Sequence, residues 1–203
     1  MKSEIALSAD NVIFTVKDNY LQILLVKRKK EPFKSKWSLP GGLVDESELI
    51  VHAAERELEE ETGLDDVKLE QFSIFDGLRR DPRGRVVSVA FFAFVNPEGL
   101  KLKAGSDADD ADWFPVDDMP PLVADHEEIV DAAYNIMKES LDVYPLCWQF
   151  FKDKFTIDQL QSVYETILEN ELGADDFKKR MLELEVVKKL DDKYFKFEIS
   201  KAL

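Results

Sequence analysis

The chain has a single cysteine, Cys147, in 203 residues, so no internal disulfide is available and the fold has to rest on its core. Cys147 lies in the aromatic context PLCWQFF, which suits a buried structural thiol rather than a nucleophile. Long apolar runs are missing too. Nothing near the N-terminus is long enough for a signal sequence or a membrane span, and a cytoplasmic location is expected. Repeats and low-complexity segments are absent. Basic residues are outnumbered, 27 Lys+Arg against 42 Asp+Glu, and a net charge of −15 works against any general attraction to nucleic acid or anionic membranes. The imbalance is local: residues 145–203 hold 10 basic and 12 acidic residues, which leaves −13 on residues 1–144.

What is present is a substantial core. Hydrophobic residues make up 45% and Phe alone numbers 14, which excludes wholesale disorder. The length suits one domain plus an appendage, expected as 1–144 and 145–203.

The stretch that organises the chain is GLVDESELIVHAAERELEEETGL, Gly42 to Leu64. Its spacing predicts a helix from about Leu49 to Thr62, with Ile50, Ala53, Ala54 and Leu58 on one inward stripe. Glu57, Glu60 and Glu61, at i, i+3 and i+4, share that side, while His52, Glu55 and Glu59 fall on the far face. Stacked carboxylates repel, so a cation is expected among them. A hard divalent ion, Mg²⁺ or Mn²⁺, suits an all-oxygen set and leaves positions open for water and phosphate oxygens. A solvated acidic face explains Glu55 and Glu59 but not the three inward acids. Gly63 suits a helix C-cap.

The segment resembles the Nudix box, G-x5-E-x7-R-E-U-x-E-E-x-G-U, with Gly42, Glu48, Arg56, Glu57, Leu58, Glu60, Glu61, Gly63 and Leu64 at its fixed positions. The resemblance implies an α/β (α+β) fold, an αβα sandwich around a mixed sheet. It further implies that Glu57, Glu60 and Glu61 ligate the metal, that Arg56 orients them, that Glu48 orients or ligates weakly, and that Gly41 and Gly42 turn the chain at the substrate.

Before the box, Asn11–Val16 and Tyr20–Lys27 read as a β-hairpin across Lys17-Asp18-Asn19, followed by a charged loop from Glu31 to Lys36. After it, Val67–Phe75 and Val86–Val95 read as strands. Between these lies a loop with Arg79, Arg80, Arg83 and Arg85, which is either a basic surface turn or a set of guanidinium groups for the phosphates or terminal ribose of a substrate. Its R-D-P-R-G-R run resembles the ADP-ribose-binding branch of the Nudix family. The acidic run from Lys103 to Trp113 reads as a loop leading to a short strand at Phe114. One of its acids, Asp107 before Asp109 or Asp110, is a candidate extra ligand or general base, as in related proteins. Asp125 is expected to cap a helix to about Ser140, with His126 partly exposed in its first turn. Phe33, Trp37 and Phe75 are candidates to stack on a base, although core packing is the commoner fate of such rings.

After Pro145, Thr156 caps a predicted helix with Ile157, Leu160, Tyr164, Ile167 and Leu168 inward. A second helix follows Gly173, with Phe177, Met181 and Leu184 inward, and then a hairpin around Leu190–Lys193. This is the order of a winged helix, and the whole chain resembles the Nudix-related transcriptional regulators. The second helix opens with Asp175 and Asp176, and the wing tip carries Asp191 and Asp192, which disfavours contact with phosphates. Lys178, Lys179 and Arg180 read as an exposed face. The expected activity is Mg²⁺-dependent cleavage of ADP-ribose, or a related nucleoside diphosphate sugar, to AMP and ribose 5-phosphate. The alternative is a DNA-binding regulator that uses the same pocket as a sensor. A homodimer is expected in either case, with DNA a weakly supported partner.

Overall fold

The computed structural model describes residues 4–98, 100, 102–103, 108–141, 150–151, 154–185 and 187–197. A seven-stranded mixed sheet lies at its centre. Strand β1 (Ala6–Lys17) turns through Asp18 and Asn19, both at positive φ, into β2 (Tyr20–Arg28). The hairpin is the one the sequence predicts, with a turn of two residues, because Lys17 still pairs with Tyr20. The sheet order is β3-β2-β1-β6-β5, with β3 at Trp37–Ser38, β5 at Glu70–Phe75 and β6 at Val86–Phe94. β1 and β6 run parallel, and β4 (Gly41–Leu43) pairs with the first half of β1.

The central strands are apolar on both faces because both are covered. Ala9, Ile13, Leu24, Val89 and Phe91 face helix α1 (Ile50–Thr62). Val12, Phe14, Ile23, Leu25, Phe92 and Phe94 face helix α2 (His126–Ser140) and the C-terminal module. Successive residues of one strand thus serve opposite layers, giving the expected αβα sandwich. Among the described residues no helix is long and apolar enough to cross a membrane.

Several elements differ from the sequence reading: β1 begins at Ala6 rather than Asn11, and β3 and β4 are strands in a stretch that reads only as a lead-in to the box. β5 begins at Glu70 rather than Val67, where pairing with β6 begins. The acidic run is not all loop: β7 (Ala108–Pro115) pairs antiparallel with β2 from Gln22 to Arg28. As an edge strand it tolerates aspartates on its open side, and Asp110 stands opposite Lys27.

The C-terminal module consists of β8 (Phe155–Thr156), α3 (Ile157–Leu168), α4 (Ala174–Glu183), β9 (Val187–Lys189) and β10 (Tyr194–Phe197), with strand order β8-β10-β9. Thr156 caps α3 in a full capping box with Gln159. The result is the expected winged helix. It is less of an appendage than expected, because Leu160, Val163, Tyr164 and Ile167 share one continuous core with α2 and the sheet. Phe94, Phe150, Phe151 and Phe155 form a row of rings along this seam, with centroids 5.5, 5.0 and 4.8 Å apart. Asn96 donates to the Phe150 carbonyl at 2.9 Å, and Tyr134 of α2 donates to Glu169 at 2.8 Å. The predicted boundary at 144/145 and Cys147 lie outside the described residues.

Candidate active site

The site is built around the turn that joins β3 to β4. Asn11 fixes both sides of it: its backbone N–H donates to the Pro40 carbonyl at 2.8 Å, and its side-chain amide donates to Ala54 of α1 at 2.9 Å. Leu39 N–H donates to His126 Nδ1 at 3.0 Å, and Gly41 N–H donates to Glu61 Oε2 at 2.9 Å. The two glycines are required by space. A Cβ on Gly41, at φ 156°, would run into the Ala9 carbonyl, and one on Gly42 would overlap the Glu57 carboxylate. At the far end of α1, Gly63 caps the helix at φ 73°, donating to the Glu59 carbonyl.

Arg56 gathers the acids on the open side. It donates to Glu48 at 2.6 and 3.1 Å and to Glu57 at 2.8 Å, and lies 3.6 Å from Glu60. Hydrogen bonds from Arg56, with a further one from Asp45 N–H, hold the Glu48 carboxyl down at about 2. Glu61 is the opposite case. It is buried, and burial pushes its carboxyl up to about 8; the charges of Glu57 and Asp10 add to this, and only the Gly41 N–H and Arg28 oppose it. An acid withdrawn from water beside other acids has the chemistry of a cation ligand, and the all-oxygen set suits Mg²⁺ or Mn²⁺. Glu57 and Glu61 border the glycine turn, whereas the Glu60 side chain is 54% exposed. Among the described residues no three His, Cys, Asp or Glu side chains are already gathered around a metal position.

A cleft of about 490 Å³, open mouth included, lies beside this turn and is lined by Asp10, Arg28, Phe33, Gly42, Arg80 and His126 among others. The arginine loop borders it but does not offer four open guanidinium groups. Arg80 is 6% exposed and forks onto Asp125 at 2.9 and 2.9 Å, with Asp10 at 3.0 Å. Arg83, which also lines the cleft, is held by Asp81 at 2.6 Å. Arg85 donates to the carbonyls of Asp76 and Gly77 at 2.6 and 3.1 Å. Arg79 is exposed and outside the cleft lining. Asp125 stands at the expected N-cap position of α2, but its side chain makes no capping bond and is spent on Arg80 instead. His126 is not exposed but 8% accessible, and burial lowers its pKa. With Nδ1 accepting from Leu39, its proton sits on Nε2, 3.9 Å from Asp10.

Asp107 lies outside the described residues, and Asp109 and Asp110 are exposed on β7. Sequence reasoning missed Asp10, an acid inside an apolar strand, and Arg28, one of a basic run otherwise read as strand end and charged loop. An isolated buried acid in a strand is the one signal that pointed to the first.

A model of the NUDIX domain matches residues 7–133, and a model of the NrtR DNA-binding winged helix domain matches residues 148–196. The ADPR responsive transcriptional repressor NtrR of Acinetobacter baylyi is 33% identical over 189 residues, 91% of this chain and 75% of that protein. The ADP-ribose pyrophosphatase of Methanocaldococcus jannaschii is 42% identical over 125 residues, 62% of this chain and 70% of that protein. Among solved structures, Shewanella oneidensis NrtR complexed with a 27mer DNA superposes with a TM-score of 0.83 at 25% identity, covering 97% of this chain and 95% of that one. The first of these matches spans more than half of the sequence, and it includes the glycine turn, the acidic helix and the cleft just described. This chain therefore belongs to the Nudix family, as a Nudix domain joined to an NrtR-type winged helix.

Proposed function

We propose that the chain hydrolyses the diphosphate of ADP-ribose or a related nucleoside diphosphate sugar, giving AMP and ribose 5-phosphate from ADP-ribose and water. The observation that carries this reading is the buried Glu61 carboxyl, held beside Glu57 at the glycine turn and raised to about 8. A pure sensor has no need of such an acid. Glu57, Glu60 and Glu61 would hold the divalent ion, with Asp107 a candidate further acid. When bound, such an ion polarises phosphorus and lowers the pKa of a coordinated water. The chain's own residues do the rest. Arg56 keeps Glu48, Glu57 and Glu60 aligned, and the Gly41–Gly42 turn lets substrate approach α1 closely. The likeness to the Methanocaldococcus pyrophosphatase supports the substrate class.

A second reading, an ADP-ribose-responsive DNA-binding regulator, is favoured by the winged helix and by the likeness to the Acinetobacter repressor. Lys178, Lys179 and Arg180 are exposed on α4 and suit backbone phosphates, whereas Asp175 and Asp176 in its first turn oppose them. At the wing, Asp192 pairs with Lys189 at 3.0 Å and spends that cation. A homodimer fits both readings.

The test is an assay of purified protein with Mg²⁺ and a panel of ADP-ribose, ADP-glucose, NADH and deoxynucleoside triphosphates, scored for AMP or phosphate release. AMP from ADP-ribose supports the enzyme. Tight ADP-ribose binding without turnover on any substrate overturns it and promotes the sensor. A gel-shift series in rising salt on the protein's own upstream DNA tests the second reading separately.

A further inference from the structure

Residues 27–36, the end of β2 and the loop to β3, contain Lys27, Arg28, Lys29, Lys30, Lys34 and Lys36 against one acid, although residues 1–144 carry a net −13. The loop is closed on itself. Arg28 N–H donates to Lys36 at 2.9 Å, Ser35 N–H donates back to Arg28 at 2.8 Å, and Lys36 N–H donates to Phe33 at 3.1 Å. Three of its residues line the cleft, Arg28, Pro32 and Phe33, and of these Arg28 brings the charge and Phe33 the ring.

Charge balance singles out Arg28. Three arginines line the cleft, and two are already neutralised, Arg80 by Asp10 and Asp125 and Arg83 by Asp81. Arg28 spends only Nε, on the Pro32 carbonyl at 3.0 Å; among the described residues Nη1 and Nη2 have no hydrogen-bond or ion-pair partner. A guanidinium with its fork open is the group that binds phosphate oxygens in pairs.

Packing singles out Phe33 in the same way. Trp37 and Phe75 belong to the core, edge-on to Phe114 at 4.7 Å and Phe72 at 6.3 Å. Phe33 packs in neither core cluster, makes no ring pair among the described residues, and is held half-buried at φ 68°. A bulky residue at positive φ is costly and rare, and such residues cluster at ligand sites.

We propose that Arg28 and Phe33 form a nucleotide subsite on one wall of the cleft, with the Arg28 fork on the diphosphate and the Phe33 ring stacked on the base. This rests on the reading that the cleft takes a nucleoside diphosphate sugar. It moves phosphate recognition from the arginine loop, whose cleft-facing groups are spent on holding the fold, to the β2–β3 loop.

The test is equilibrium binding to the full chain, with and without Mg²⁺, using ADP-ribose and, as a probe without a base, inorganic pyrophosphate. F33L is expected to weaken ADP-ribose binding about tenfold or more and leave pyrophosphate unchanged, with F33W restoring it. R28Q is expected to weaken both ligands about tenfold or more, and R28K to recover only part, since Lys has no fork. Thermal melts check folding, and R28K replaces R28Q if R28Q melts well below wild type. Variants that bind both ligands like wild type overturn the subsite alone. Wild-type protein that binds no nucleoside diphosphate sugar overturns the functional reading and the subsite with it.

Discussion

Arg80 offers a direct choice between two roles for the arginine loop. If it is a fold clamp, R80M should cost stability; if it is a phosphate ligand, R80M should cost binding. The structure favours the clamp, because the side chain is 6% exposed and its acids, Asp10 and Asp125, are 8% and 15% exposed. Methionine keeps the stem and removes the charge, leaving the buried Asp10 and the partly buried Asp125 without their shared cation. Removing one partner of a buried pair costs about 3–5 kcal/mol, and the partial access of water to Asp125 points to the lower end, about 3 kcal/mol. For a chain of this size that is a fall in Tm of roughly 6–12 °C. The assay is thermal and urea unfolding of wild type, R80M, D125N and R80M/D125N. Because Asp125 then has no charge to strand, the double variant should cost clearly less than the two singles added, a coupling of about 1–2 kcal/mol. A melting point within about 2 °C of wild type, together with lost ADP-ribose affinity, would refute the clamp and restore the loop as the phosphate site.

Other outcomes follow from the same geometry. E60Q should lower turnover roughly a hundredfold with little change in Tm, since it removes metal charge and no core volume; unchanged turnover would remove Glu60 from the site. Gly42→Ala should abolish turnover by displacing the Glu57 carboxylate, a loss visible in activity before stability. Glu61 holds its proton more tightly folded than unfolded, so the metal-free chain should lose stability as pH rises from about 4.5 to about 8. The slope is at most about 1.4 kcal/mol per pH unit. E61Q should flatten that slope, and Mg²⁺ should raise the wild-type Tm more at pH 8 than at pH 6. His126 has the opposite sign. Its folded pKa is lowered, the unfolded chain takes up more protons, and stability should fall as pH drops below about 6.5; H126Q melts measured from pH 7 to pH 5 should lack that component.

The regular parts of the fold were legible because they are locally coded. The hairpin turn at Asp18-Asn19, the capping box at Thr156 and the glycine cap at Gly63 each depend on a few neighbouring residues, and each stands where expected. The acids of α1 were legible for the same reason, one helix turn setting their relation. What was not legible depends on residues far apart in the chain. Asp125 looks like a cap until Arg80, 45 positions away, takes its carboxylate. His126 looks exposed until the Leu39 N–H, 87 positions away, reaches it. Neither the charge of the arginine loop nor the likeness of its R-D-P-R-G-R run to the ADP-ribose-binding branch says whether the partner is a ligand or the chain itself. β7 was hidden because an edge strand carries polar residues that read as loop.

The row of phenylalanines between the sheet and the winged helix bears on how this chain can change over generations. The two modules match separate family models, which suggests parts that were once joined and could be exchanged. Rings from Phe94 to Phe155, tilted or edge-on to one another across the join, tie the tilt of one module to the side-chain arrangement of the other. A substitution that shifts β6 is therefore transmitted to β8 and α3, and one that shifts α3 is transmitted back. Neither half can drift alone, and a graft of either onto another partner has to bring its share of the aromatic seam with it.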